Sequence, residues 1–148
     1  MKIERTLDTN CDALFALITE SIKKDIESAI GESIDIATIK KGYTYKKRIM
    51  GKTGKLLNAT ATIEIFEKPT LYQISFETVY GINKISYQLS SIDTDQTALV
   101  YEESYDAPNK RLSLNASILN FFYHKSSRKR VVNMLDLMEQ HLKSQKES

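Results

Sequence analysis

The residues with the most chemical potential lie in the run His124-Lys125-Ser126-Ser127-Arg128. Steps of three and four from Phe121 reach His124 and Arg128, with Ser127 beside them, before apolar Val131 and Leu135 resume. Such steps share one face of an α-helix. An arginine on that face can hold a carboxylate or phosphate as a bidentate pair. A histidine there can hydrogen-bond, or titrate near neutral pH. The simpler alternative is a small helix rotation that turns HKSSRKR to solvent, with the long stems along apolar surface and the charges outside.

Three further sets bear on chemistry. Tyr43, Tyr45, Tyr72, Tyr80, Tyr87, Tyr101 and Tyr105 offer apolar bodies with one polar tip, which suits a pocket with few polar groups. Tyrosine is also favoured in strands, so only some of these are expected to line a cavity. Glu102 and Glu103 are neighbours in an extended run, so one must face inward. An inward Glu103 would pair with Arg128 or His124. Satisfying a buried carboxylate is a better reason for that pair than acid–base catalysis. Lys40, Lys41, Lys46, Lys47 and Arg48, with Lys125, Arg128, Lys129 and Arg130, could make one basic patch. Outward positions lack the interleaved aromatics of a single-strand binder, and a solvated face is the plainer reading.

Several chemistries find no support. With two histidines and one cysteine there is no zinc spacing. No glycine-rich phosphate loop and no GxSxG elbow occur. Ser126 or Ser127 near His124 lacks a third triad member. Cys11 reads as a small buried residue rather than an activated thiol. No catalytic residue, metal or cofactor is therefore assigned.

The elements that must position these residues follow from periodicity. Residues 2–7 alternate as a first strand. Thr9 reads as an N-cap with Asp12 completing a capping box. The helix that follows carries Leu14, Phe15, Ile18, Ile22, Ile26 and Ile30 on one face and stops at Gly31. A shorter helix from Ser33 or Asp35 to Gly42 would bury Ile36 and Ile39. From Tyr43 the period becomes two. Tyr43, Tyr45, Lys47 and Ile49 alternate in one strand. Ala59, Ala61, Ile63 and Ile65 form one face of the next, after a turn at 51–54. Tyr72, Ile74, Phe76, Thr78 and Tyr80 follow after Lys68-Pro69-Thr70, and Ile85, Tyr87 and Leu89 after Gly81. In the last strand, 97–105, the inward set is either Leu99 and Tyr101 or Ala98 and Val100. One helix from Leu112 to about Lys143 closes the chain. Short turns favour an antiparallel meander, and its apolar face needs the long helix as cover.

The opening strand with its capped helix TNCDALFALI, the phrase FEKPTLYQISF and the final strand running into a long helix resemble the helix-grip fold of the START-related, SRPBCC superfamily. KKGYTYKK, GINKISYQL and NFFYHKSSRKR look like a small uncharacterised bacterial family of unknown function within it. The resemblance implies an α+β fold: a curved antiparallel sheet of about six strands wrapped around a long C-terminal helix, with one or two short helices after strand 1. It also implies a cavity between sheet and helix, in many members for a lipid, a sterol or another apolar molecule.

Size and composition agree with this. A chain of 148 residues fits one domain, 1–148. A net charge of +2 is too small to imply nucleic acid as a partner. The lone cysteine excludes an internal disulfide, and MKIERTLDT has no signal-peptide run, so a cytoplasmic location is expected. No stretch approaches the roughly 20 apolar residues of a membrane span. The expected partner is a small, largely apolar molecule, and a homodimer is compatible with the sequence. The expected lining is Tyr45, Ala61, Ile63, Ile74, Phe76, Tyr87, Tyr101, Glu103, Phe121, His124, Ser127 and Arg128. Two alternatives remain open: a regulatory interaction module with a basic face, or an acid–base enzyme using Glu103, His124 and a tyrosine.

Overall fold

The computed structural model describes residues 1–50, 54–106 and 128–145. Strand β1 (Lys2–Leu7) leads into helix α1 (Cys11–Ile30). A single 3-10 turn at Ile36–Thr38 then precedes β2 (Thr44–Met50), β3 (Leu56–Glu67), β4 (Leu71–Thr78), β5 (Gly81–Asp93) and β6 (Gln96–Asp106). Residues 128–145 are helical and are called α2. The six strands form one antiparallel sheet in the order β1-β6-β5-β4-β3-β2, so the chain meanders from β2 to β6 and the first strand joins at the far edge. With α1 and α2 this is the helix-grip arrangement. Phe121, His124 and Ser127, and the predicted helical turns from Leu112 to residue 127, lie outside the described residues.

The alternation read from sequence maps onto the buried face with two departures. Ala59, Ala61 and Ile63 of β3 are buried, but the register against β4 shifts between Ile63 and Ile65. One extra residue at a bulge reverses which side chains point inward. Phe66, opposite Tyr72, therefore joins the core in place of Ile65, and Ser75 donates to the Glu64 carboxylate at 2.8 Å beside the bulge. In β6 the inward set is Leu99, Tyr101 and Glu103.

Helix α1 is capped by Asn10, not Thr9: the Asn10 carboxamide oxygen accepts from the Ala13 N–H at 3.1 Å. Thr9, two residues past the end of β1, is buried, and its carbonyl accepts from the Thr97 hydroxyl at 2.8 Å. Gly31 closes the helix at φ 76°, a left-handed conformation that costs glycine little. The predicted second helix shrinks to one 3-10 turn capped by Asp35; Ile39 is buried, whereas Ile36 is 43% exposed.

Helix α2 presses Val131 and Leu135 into the core. Its flank is tied to β1. Arg5 donates to the Asp136 carboxylate and lies 3.6 Å from Glu139, the Asp8 N–H donates to Glu139 at 2.7 Å, and Lys143 reaches Asp8 at 3.5 Å.

Candidate functional site

Helices α1 and α2 flank the same face of the sheet, and between them lies an open cavity of about 920 Å³. Its floor is Tyr72, Ile74 and Phe76 of β4 with Ile85 and Tyr87 of β5. Leu17, Ile18, Ser21 and Ile22 of α1 make one wall; Asn133, Met134, Leu137 and Met138 of α2 make the other. Both helices contribute residues at three- and four-residue spacing, which is why one face of each reaches the cavity along its length.

Most of the charged groups of the described lining are concentrated at one end. Asp25 of α1 accepts from the Tyr45 hydroxyl and from the Lys47 ammonium, each at 2.7 Å. The same ammonium lies 5.4 Å from the centre of the Phe76 ring, within cation–π range. Lys24, Lys129, Arg130 and His141 complete the polar lining. Among the described residues no His, Cys, Asp and Glu cluster could hold a metal ion, and no helix is long and apolar enough to cross a membrane.

An aromatic row crosses the floor. Tyr72 and Tyr87 are 6.0 Å apart between ring centres, and Tyr87 meets Tyr101 edge-on at 5.1 Å. The Tyr87 hydroxyl points at the Met134 sulfur, 3.8 Å away. Burial pushes the Tyr87 phenol up to about 12, against the opposing pull of Arg130 and with some help from Glu103. Burial also raises Tyr45, Tyr72 and Tyr101, assisted most by the Asp25 hydrogen bond, by Tyr87 and by Glu103 respectively. A phenol raised in the fold stays protonated after its unfolded counterpart, near pH 10, has ionised. Its contribution is complete below pH 10 and is lost above it. Stability should therefore fall as pH rises from about 10 to 12, and the last part of the tyrosinate absorbance should appear together with the loss of far-ultraviolet circular dichroism. Tyrosinate absorbance completing well before unfolding would contradict this burial.

The residues expected from sequence to line the site are distributed as follows. Tyr45, Ile74, Phe76 and Tyr87 are in the cavity wall. Ala61, Ile63, Tyr101 and Glu103 are buried in the sheet's inner face but are not part of that wall. Arg128 is exposed and donates to the Lys2 carbonyl at 3.3 Å, over the β1 edge. It does not pair with Glu103. The Glu103 carboxylate instead accepts from the Tyr101 hydroxyl at 3.0 Å and from the Asn83 amide at 3.2 Å. The sequence reading overlooked the α1 wall. Ser21 and Asp25 lie one helical turn apart beside the apolar stripe, a signal that could have placed both at its border. Lys47 falls on the same strand face as Tyr45 in the sequence pattern but is missing from the expected lining.

Comparison with known proteins supports the architecture. No curated protein matches the chain in sequence. Among solved structures, Ara h 8.0201, of Bet v1-like fold, superposes with a TM-score of 0.62 at 11% identity, covering 97% of each chain. A protein of unknown function from Staphylococcus aureus, SA2116, gives 0.62 at 14%, covering 100% of this chain and 96% of the other. A conserved protein from Geobacillus kaustophilus gives 0.63 at 14%, covering 97% and 94%. At these identities the likeness is one of fold, and that fold is the helix grip. The family model described as "Domain of unknown function (DUF3284)" matches residues 1–124, and the chain belongs to that family.

Proposed function

We propose that this protein, with residues 1–148 acting as one domain, binds a small, largely apolar molecule in the cavity between α1, the sheet and α2. The carrying observation is the cavity of about 920 Å³, which falls in the range of small-molecule sites and has a largely apolar floor with most of its charged groups gathered at one end. Tyr45, Ile74, Phe76 and Tyr87 are the proposed floor contacts, and Met134 and Met138 supply the adaptable side chains that let such a wall fit its guest. The Bet v1-like neighbour agrees with a ligand role at the level of fold. Among the described residues Glu103 accepts from Tyr101 and Asn83, contacts that suit a structural carboxylate better than a catalytic one.

Titration with the neutral fluorophore N-phenylnaphthylamine tests the reading. Saturable one-to-one enhancement is expected in the native protein. Ser21 is an exposed, small residue on the cavity wall, so Ser21→Trp should occlude the space at little cost to the core and weaken binding at least about tenfold, roughly 1.4 kcal/mol. No enhancement in the native protein, or unaltered affinity in a folded Ser21→Trp variant, would overturn it.

A further inference from the structure

The charged residues of the cavity are not scattered around it. Helix α2 runs along β1 from its Lys2 end, where Arg128 meets the Lys2 carbonyl, to its Leu7 end, where Glu139 receives the Asp8 N–H. Helix α1 runs the opposite way across the sheet. Its Phe15 ring is 5.4 Å from Phe66, opposite Tyr72, and its Asp25 meets Tyr45, which lies opposite Ala61 and, through it, Phe76. The start of α2 and the end of α1 therefore share one end of the cavity. Lys24, Lys47, Lys129 and Arg130 are all there, with Asp25 as the only carboxylate of the described lining. From Arg130 to His141 the α2 wall extends about 16 Å. Past Arg130 it offers Asn133, then Met134, Leu137 and Met138, before His141 at the far end.

Among the described residues the charge at the cationic end is compensated only in part. Asp25 is already engaged by Lys47 at 2.7 Å. Among the described residues Lys24, Lys129 and Arg130 have no ion-pair partner. The sequence supplies no carboxylate between Asp106 and Asp136, while Lys110, Arg111, Lys125, Arg128, Lys129 and Arg130 fall in that interval. An apolar trough with surplus cations at one end matches a molecule with an apolar body and an acidic head.

Resting on the ligand-binding reading above, we infer that the ligand is an amphiphilic anion, its carboxylate or phosphate held by Lys129 and Arg130 and its apolar body lying over Ile74, Ile85 and Tyr87. Arginine supplies the planar fork for an oxyanion and lysine a mobile point charge beside it. Lys47 stays with Asp25 and marks the limit of the head-group site.

Displacement of N-phenylnaphthylamine by one-chain competitors tests this. Dodecanoate and dodecyl phosphate should displace it at concentrations about tenfold or more below those needed for dodecanol or dodecyltrimethylammonium. The difference should shrink as salt is raised. The better of the two anions identifies the head group. The exposed pair K129E/R130E should abolish the preference, each competitor's displacement being referred to the fluorophore affinity measured in the same variant. Equal displacement by all four chains, or a preference that survives the double substitution, would overturn the inference while leaving apolar binding intact. Failure of the fluorophore to bind the native protein would overturn both.

Discussion

Leu135→Ala should lower the unfolding free energy by about 2–5 kcal/mol, read from urea denaturation. Leu135 is 0% exposed and shares the core with Val131, one turn earlier on α2. Truncation forfeits the transfer energy of the side chain and leaves a void that the sheet cannot close without moving α2. The two more solvated ion pairs that tie α2 to β1 and Asp8 do not substitute for this anchor. Asp136 is 45% exposed and Lys143 46%, and pairs so solvated contribute at most about 1 kcal/mol each. A loss under about 1 kcal/mol would mean that α2 does not seat this residue in the core.

The second large effect concerns the carboxylate under the sheet. Glu103 is 5% exposed, and the Tyr101 hydroxyl and the Asn83 amide are its donors. Tyr101→Phe removes one donor and almost no volume, leaving a buried oxygen short of a partner at a cost of about 1–3 kcal/mol. In a Glu103→Leu background the same substitution should cost less than half as much, because there is no carboxylate left to serve. Equal costs in the two backgrounds would show that the hydroxyl and the carboxylate are not coupled.

Periodicity carried much of the architecture, and particular residues show where it stops. Alternation placed Tyr72, Ile74 and Phe76 on one face of β4 because a strand buried on one side must repeat every two residues. It failed at Ile65 because a bulge of one residue leaves no mark in an apolar run where both Ile65 and Phe66 are acceptable inside. The N-cap went to Asn10 because two adjacent capping residues have similar propensity, and the strand end, not the helix, decides between them. Glu103 could be expected to face inward from the parity of β6 once Leu99 and Tyr101 were chosen. Its partners could not, since Asn83 comes from β5 and sequence spacing says nothing about cross-strand neighbours. The expected cavity lay between the sheet and the closing helix and left out α1. Its polar end needed the crossing of α1 over β2, a long-range fact that brings Asp25 to Tyr45 and Lys47.

The place of β1 at the sheet edge has a consequence for how the molecule is made. Its two sources of support, β6 and α2, are translated after the other described elements of the chain. The hairpins from β2 to β6 can zip up in sequence, but β1 must wait for partners roughly a hundred residues downstream, so ring closure of the chain is the entropically costly and slow event. Until it happens the β6 edge is bare and open to wrong pairing, and chains stalled before β6 is complete are the ones most prone to aggregate.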